Sequence, residues 1–117
     1  MKYHIEHKRE LNEEEKEILL HMLSNTSYSD QIDSLKIVAR CGCGKCPTVL
    51  FGKTFEDEPV PNGRDVVQYQ GLNSDGEVVC ITVMAAAGKL TELEASSFSG
   101  GNIYSWPPIQ SIEVTNA

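Results

Sequence analysis

Ala39-Arg40-Cys41-Gly42-Cys43-Gly44-Lys45-Cys46-Pro47-Thr48 sets three of the chain's four cysteines within six residues, interleaved with two glycines and closed by a proline. Before this stretch the sequence carries helical periodicity, and after it the sequence reads as strands. It is the turning point of an α+β chain. Helices followed by strands with hairpin-sized connections place the helices on one face of an antiparallel sheet.

Working upstream, Asn12 is placed to cap a helix, and Glu15 holds the reciprocal position of a capping box. Glu13, Glu14, Glu15 and Glu17 crowd the first turns, where the helix dipole favours negative charge. Leu11, Ile18, Leu19, Met22 and Leu23 mark one apolar face, and Ser24-Asn25-Thr26-Ser27 ends the helix. Tyr28, Ile32 and Leu35 repeat at helical spacing and predict a short second helix from about Ser29 to Leu35. Residues 1–10 are polar and read as an extended arm or a short edge strand.

Working downstream, Ile37 and Val38 lead an extended segment into the cysteine loop, and Thr48-Val49-Leu50-Phe51 leaves it as a β-branched, apolar strand. Lys53 to Arg64 is a loop with two prolines and an Asn-Gly turn signal. Val66, Val67 and Tyr69 open the next strand, and Asn73-Ser74-Asp75-Gly76 turns it. Glu77 to Met84 is almost continuously apolar, as a central strand requires. After a turn at Ala85 to Lys89, Leu90 to Ala95 approximates the alternation of a half-buried strand. Ile103 to Pro108 is expected to dock by its aromatic residues, and Ile112-Glu113-Val114 to add a last edge pairing. The expected architecture is two N-terminal helices on one face of a mainly antiparallel sheet of four to six strands.

A chain of 117 residues, 40% hydrophobic and 23% charged, has the size and composition of a single globular domain spanning residues 1–117. Its formal charge of −7 comes from 17 acidic against 10 basic side chains. Phosphate backbones attract Lys and Arg, so an acidic domain without a basic stripe is expected to bind neither DNA nor RNA. Anionic membrane surfaces repel it for the same reason. A basic protein is the natural electrostatic complement. The N-terminal segment lacks the apolar run of a signal peptide, and no window approaches the length of a membrane span. A cytoplasmic protein with reduced thiols is the expectation.

Cys41, Cys43 and Cys46 are the candidate metal ligands, but a structural zinc site takes four. Cys80 could complete the set if the fold brings it to the loop, and His4 and His7 are alternatives. The structural reading is favoured: Gly42 and Gly44 permit a tight connection, and small cysteines pack as hydrophobes. No cofactor is therefore expected, with zinc as the alternative. Cys43-Gly44-Lys45-Cys46 has the outline of a redox pair, with Lys45 able to favour a thiolate. Such motifs sit at a strand-to-helix step, whereas Thr48 to Phe51 reads as strand. His4, His7 and His21 all precede the cysteine loop, and His21 reads as a boundary residue of the first helix. No nucleophile elbow, phosphate loop or zinc-protease motif occurs, so an enzyme is not expected. The acidic segments Glu56-Asp57-Glu58, Asp75 with Glu77, and Glu92 with Glu94 remain as candidate recognition residues on loops and strand faces.

The Leu11-x-x-x-Glu15-x-x-x-Leu19-x-x-x-Leu23 helix, a short second helix and then Arg40-Cys41-Gly42-Cys43-Gly44-x-Cys46-Pro47-Thr48-Val49 resemble a family of small bacterial proteins. That family combines a Leu-rich N-terminal helix with an Arg-Cys-Gly-Cys-Gly-Cys-Pro core, within which Lys45 is an addition. The resemblance covers residues 11–51 and implies the α+β fold without assigning an activity. In size, acidity and lack of a catalytic constellation the chain also resembles the immunity proteins of contact-dependent growth inhibition and other polymorphic toxin systems. That resemblance implies an inhibitor that covers a cognate, basic, nuclease-like toxin domain. The acidic residues Glu56, Asp57, Glu58, Asp75, Glu77, Glu92 and Glu94 would form its contact surface. The alternative is a small metal-binding or thiol-redox protein centred on Cys41, Cys43 and Cys46.

Overall fold

A computed structural model describes residues 3–4, 8–42, 46–97, 99–101 and 103–114, with strand placement alone for Tyr3 and His4. The helical layer starts at α1, Glu13–Leu23, which begins where the sequence places it. Asn12 Oδ1 accepts from Glu15 N at 2.8 Å, and Glu15 Oε1 accepts from Asn12 N at 2.9 Å, closing the capping box. Glu15 is 2% exposed, and its carboxylate also takes both terminal nitrogens of Arg9 at 2.8 Å. A paired, bidentate carboxylate can be buried at this helix start where a lone one could not. Thr26 then turns the chain: its hydroxyl donates to Leu23 O and accepts from Tyr28 N. The second helix is a 3-10 helix, Ser27–Ser34, longer than such helices usually run. It buries Ile32 and ends at Leu35.

The sheet is antiparallel and has eight strands: β1 (Tyr3–His4), β2 (Arg9–Glu10), β3 (Lys36–Cys41), β4 (Val49–Gly52), β5 (Arg64–Leu72), β6 (Val78–Ala86), β7 (Lys89–Ser97) and β8 (Glu113–Val114). Their order is β1-β3-β4-β7-β6-β5-β8, with β2 also paired to β3. The α+β class is as expected, but the strand count exceeds four to six. The surplus is β1, β2 and β8, two-residue pairings too short to leave a periodic pattern. α1, the 3-10 helix and the C-terminal segment pack on one face, over Val49, Ile81, Val83 and Leu93. The C-terminal segment docks through Ile103 and Trp106, while Tyr104 stays 60% exposed. It lies so close to β5 that a Cβ on Gly71 would fall 2.5 Å from Pro107. His21 Nε2 meets Ile112 O at 2.9 Å and the ring stands edge-on to Tyr69, so this histidine ties α1 to the C-terminal segment.

Two features of the sheet set up everything beyond it. First, β3, β5 and β7 each carry an extra residue at nearly the same level: Val38, Val66 and Thr91. Each bulge reverses the in-out phase of its strand, so Leu90 faces the helices with Leu93 although Glu92 faces away. Second, β4 and β7 join the two halves of the sheet through only two residue pairs, Val49↔Leu93 and Leu50↔Glu92. Side chains extend this seam. At one end the Thr48 hydroxyl accepts from Ala95 N at 3.0 Å. At the other, Gln31 accepts from Leu90 N at 3.0 Å and donates to Gly88 O at 2.9 Å. The β6–β7 hairpin closes on Ala87 and Gly88, both with positive φ, the geometry of a two-residue type I′ turn.

Thr48→Val keeps the volume of the buried side chain but leaves the Ala95 N–H without its acceptor. Urea unfolding is expected to show a loss of about 1–3 kcal/mol, the cost of an unsatisfied buried donor. A neutral result would show that the seam does not depend on this side chain.

Candidate functional site

The face of the sheet turned away from the helices is built from the other set of alternating residues. Reading across the ladders, Asp65, Met84, Glu92 and Leu50 form one row. Gln68, Thr82 and Glu94 form the next, and Gln70, Cys80 and Ser96 a third. The Gln68 amide donates to the Thr82 hydroxyl at 3.2 Å, which fixes the middle row beside Glu94. The loop after β4 folds onto the same face, because Asp57 lies against Gly52 where a Cβ would come within 2.8 Å of its own.

Glu92 is 1% exposed, and neither of its carboxylate oxygens has a hydrogen-bond partner. Burial, and then the charge of Glu94, push its carboxyl up from 4.5 to about 7. Glu94 is half-buried, and its carboxyl is also raised, first by burial and then by Asp65 two strands away. Among the described residues the ion pairs are Arg9–Glu15 and Lys36–Glu10, and none involves these three acids. The face therefore gathers three carboxyls that depress one another's ionisation. An approaching Lys or Arg would relieve that strain.

The other acidic segments do not all join this cluster. Glu56 and Glu58 are exposed on the loop that crosses the same face. Asp57 serves that loop's own turn, accepting from Lys53 N, Thr54 N and the Thr54 hydroxyl, and these bonds hold its carboxyl below the usual range. Asp75 and Glu77 sit in the β5–β6 turn, at the opposite end of the sheet. Asp75 accepts from Glu77 N, and Glu77 from the Ser99 hydroxyl. Glu92, expected on a solvated face, is buried instead, because the face is covered at the level of Leu50 and Val38, both 0% exposed.

Asp65 escapes a sequence reading for a definite reason. Simple alternation puts it on the same side as Val67 and Tyr69, and only the Val66 bulge turns it toward Met84. Of the cysteines, Cys41 ends β3 opposite Tyr3, Cys46 is half-buried, and Cys80 is buried in the middle of β6. Cys43, Gly44 and Lys45 lie outside the described residues, as do the His7 side chain and that of His4. Among the described residues no three His, Cys, Asp or Glu side chains are grouped to hold a metal. No helix among them is long and apolar enough to cross a membrane. Compared with known proteins, the chain matches no family model, no curated protein and no solved structure.

The sign of the pH dependence follows from the raised carboxyls. A group whose folded pKa lies above its unfolded value binds its proton more tightly when folded, so its contribution is lost as pH rises. For Glu92 the window runs from 4.5 to about 7, a swing of up to about 3 kcal/mol. The protein is expected to be more stable at pH 5 than at pH 8, and Glu92→Gln to match wild type at pH 5 but exceed it at pH 8. Denaturation midpoints that rise between pH 5 and 8 in wild type would contradict the assignment.

Proposed function

We propose that this chain is an immunity-type binding protein of bacterial toxin competition systems, neutralising a cognate basic toxin domain in the cytoplasm without catalysing a reaction. The observation that carries the reading is the helix-free face. Asp65, Glu92 and Glu94 converge there with no described lysine or arginine to pair them. Glu56 and Glu58 stand exposed on the loop that folds onto this face. The net charge of −7 adds a long-range field of the same sign. A basic surface laid on this face supplies the missing cations and removes the mutual repulsion of the acids. Uncompensated like charge that burdens the free protein thus becomes complementarity in the complex.

Position sorts the candidate residues. Asp65 and Glu94 are the central contacts, with Glu56 and Glu58 at the rim. Glu92 lies behind them and acts through Glu94, whose charge it opposes. Asp57, Asp75 and Glu77 are tied into turns, and the last two lie beyond this face.

The test is rescue from toxicity. The domain encoded directly upstream of this chain's gene is expressed in a naive bacterium, with and without this protein, and survivors are counted. Protection is expected from wild type and from Asp75→Lys/Glu77→Lys, and its loss from Asp65→Lys/Glu94→Lys. In purified form the latter pair should slow association at low salt by about tenfold or more. Protection that survives the Asp65/Glu94 reversal overturns the surface, and toxicity without any rescue overturns the immunity reading.

A further inference from the structure

Beyond Leu50↔Glu92 the strands β4 and β7 separate, and a cavity of about 390 Å³ opens between Phe51 and Gly52 on one and Leu90 and Thr91 on the other. Its apolar floor is made by Leu35, Phe51 and Leu90, side chains that also belong to the core. Lys53 and Lys89 are exposed at its rim, on the loop after β4 and at the start of β7. Thr91, the bulge residue, lines it as well. Thr91 is 4% exposed, and its hydroxyl has no hydrogen-bond partner. A buried hydroxyl left unpaired costs stability that a methyl in its place would not. Its presence beside an open cavity is what a bound polar group would explain.

We propose that this cavity is a binding site for a small organic carboxylate with an apolar body. The apolar body rests on Phe51, Leu35 and Leu90, the carboxylate lies toward Lys53 and Lys89, and the Thr91 hydroxyl donates to the ligand. The volume suits a molecule of roughly ten to fifteen heavy atoms. Asp57 also lines the cavity, but its carboxylate is spent on two backbone N–H groups and the Thr54 hydroxyl. Glu58 is the remaining acid at the wall, and it is the reason an amine must be tried against the carboxylate. The splay is held open by the Gln31 side chain, which takes the Leu90 N–H that a longer β4–β7 pairing would have used. The site is independent of the toxin-binding face and stands or falls separately from it.

The experiment is an amide NMR titration of the full chain with 3-phenylpropionate, its neutral amide and 3-phenylpropylamine. The carboxylate is expected to give saturable shifts at Gly52, Leu90 and Thr91, with the amide and amine weaker. Thr91→Val should weaken carboxylate binding by about tenfold, Thr91→Ser should restore it, and Lys89→Ala, at an exposed position, should weaken it by about threefold. Unchanged affinity in Thr91→Val overturns the role of the hydroxyl. Equal or tighter binding of the amine overturns the anionic ligand class. No saturable shift at these residues with any probe up to about 10 mM, where even feeble sites fill, overturns the site itself.

Discussion

The two halves of the sheet are held together by a seam of two residue pairs between β4 and β7. On one side stands the β3–β4 hairpin with its two short edge strands, and on the other the β5–β6–β7 meander with β8. Everything that spans the molecule leans on this joint. The helical layer covers it from one side, and Thr48 and Gln31 lengthen it with side-chain hydrogen bonds where the backbone ladder stops. The helices do more than fill the core. They are the cross-brace between two sheets that barely touch.

The bulges at Val38, Val66 and Thr91 explain both what the sequence shows and what it conceals. The capped first helix, the central strand Val78–Ala86, the hairpin turns and the docked C-terminal segment follow from local rules that the chain obeys. These elements are readable because capping residues, glycines and apolar periods act within a few positions of themselves. A bulge acts across strands. The alternation in Leu90-Thr91-Glu92-Leu93-Glu94-Ala95 looks almost regular, yet Leu90 and Glu92 end up on opposite faces because Thr91 is unpaired between them. Asp65 is displaced from its apparent face in the same way. Two of the three acids on the helix-free face thus owe their position to register shifts that no single-strand pattern encodes. The two-residue strands carry too few positions for any pattern at all.

Acids in this protein fall into two kinds. Glu15 is buried but fully used, accepting from Arg9 and closing its helix cap. Glu92 is equally buried and unused. The first follows the usual rule for an interior charge, and the second breaks it. Local rules tend to be broken where a chain serves something other than its own stability. The contrast within one small domain, rather than its overall acidity, is what separates the face carrying Asp65, Glu92 and Glu94 from an ordinary solvated surface.

A narrow seam also shapes how the chain folds. Each half pairs strands that are near neighbours in sequence, and their short loops close at little entropic cost. The seam joins Val49 to Leu93, far apart along the chain, and its two pairs reward that closure only weakly. Until it forms, β4 and β7 each present an unpaired edge of matching register. Those edges recognise the same partner whether it belongs to the same molecule or to another copy. The joint that makes room for a cavity is therefore also the point at which two chains can exchange halves, a domain-swapped dimer built from the contacts of the monomer.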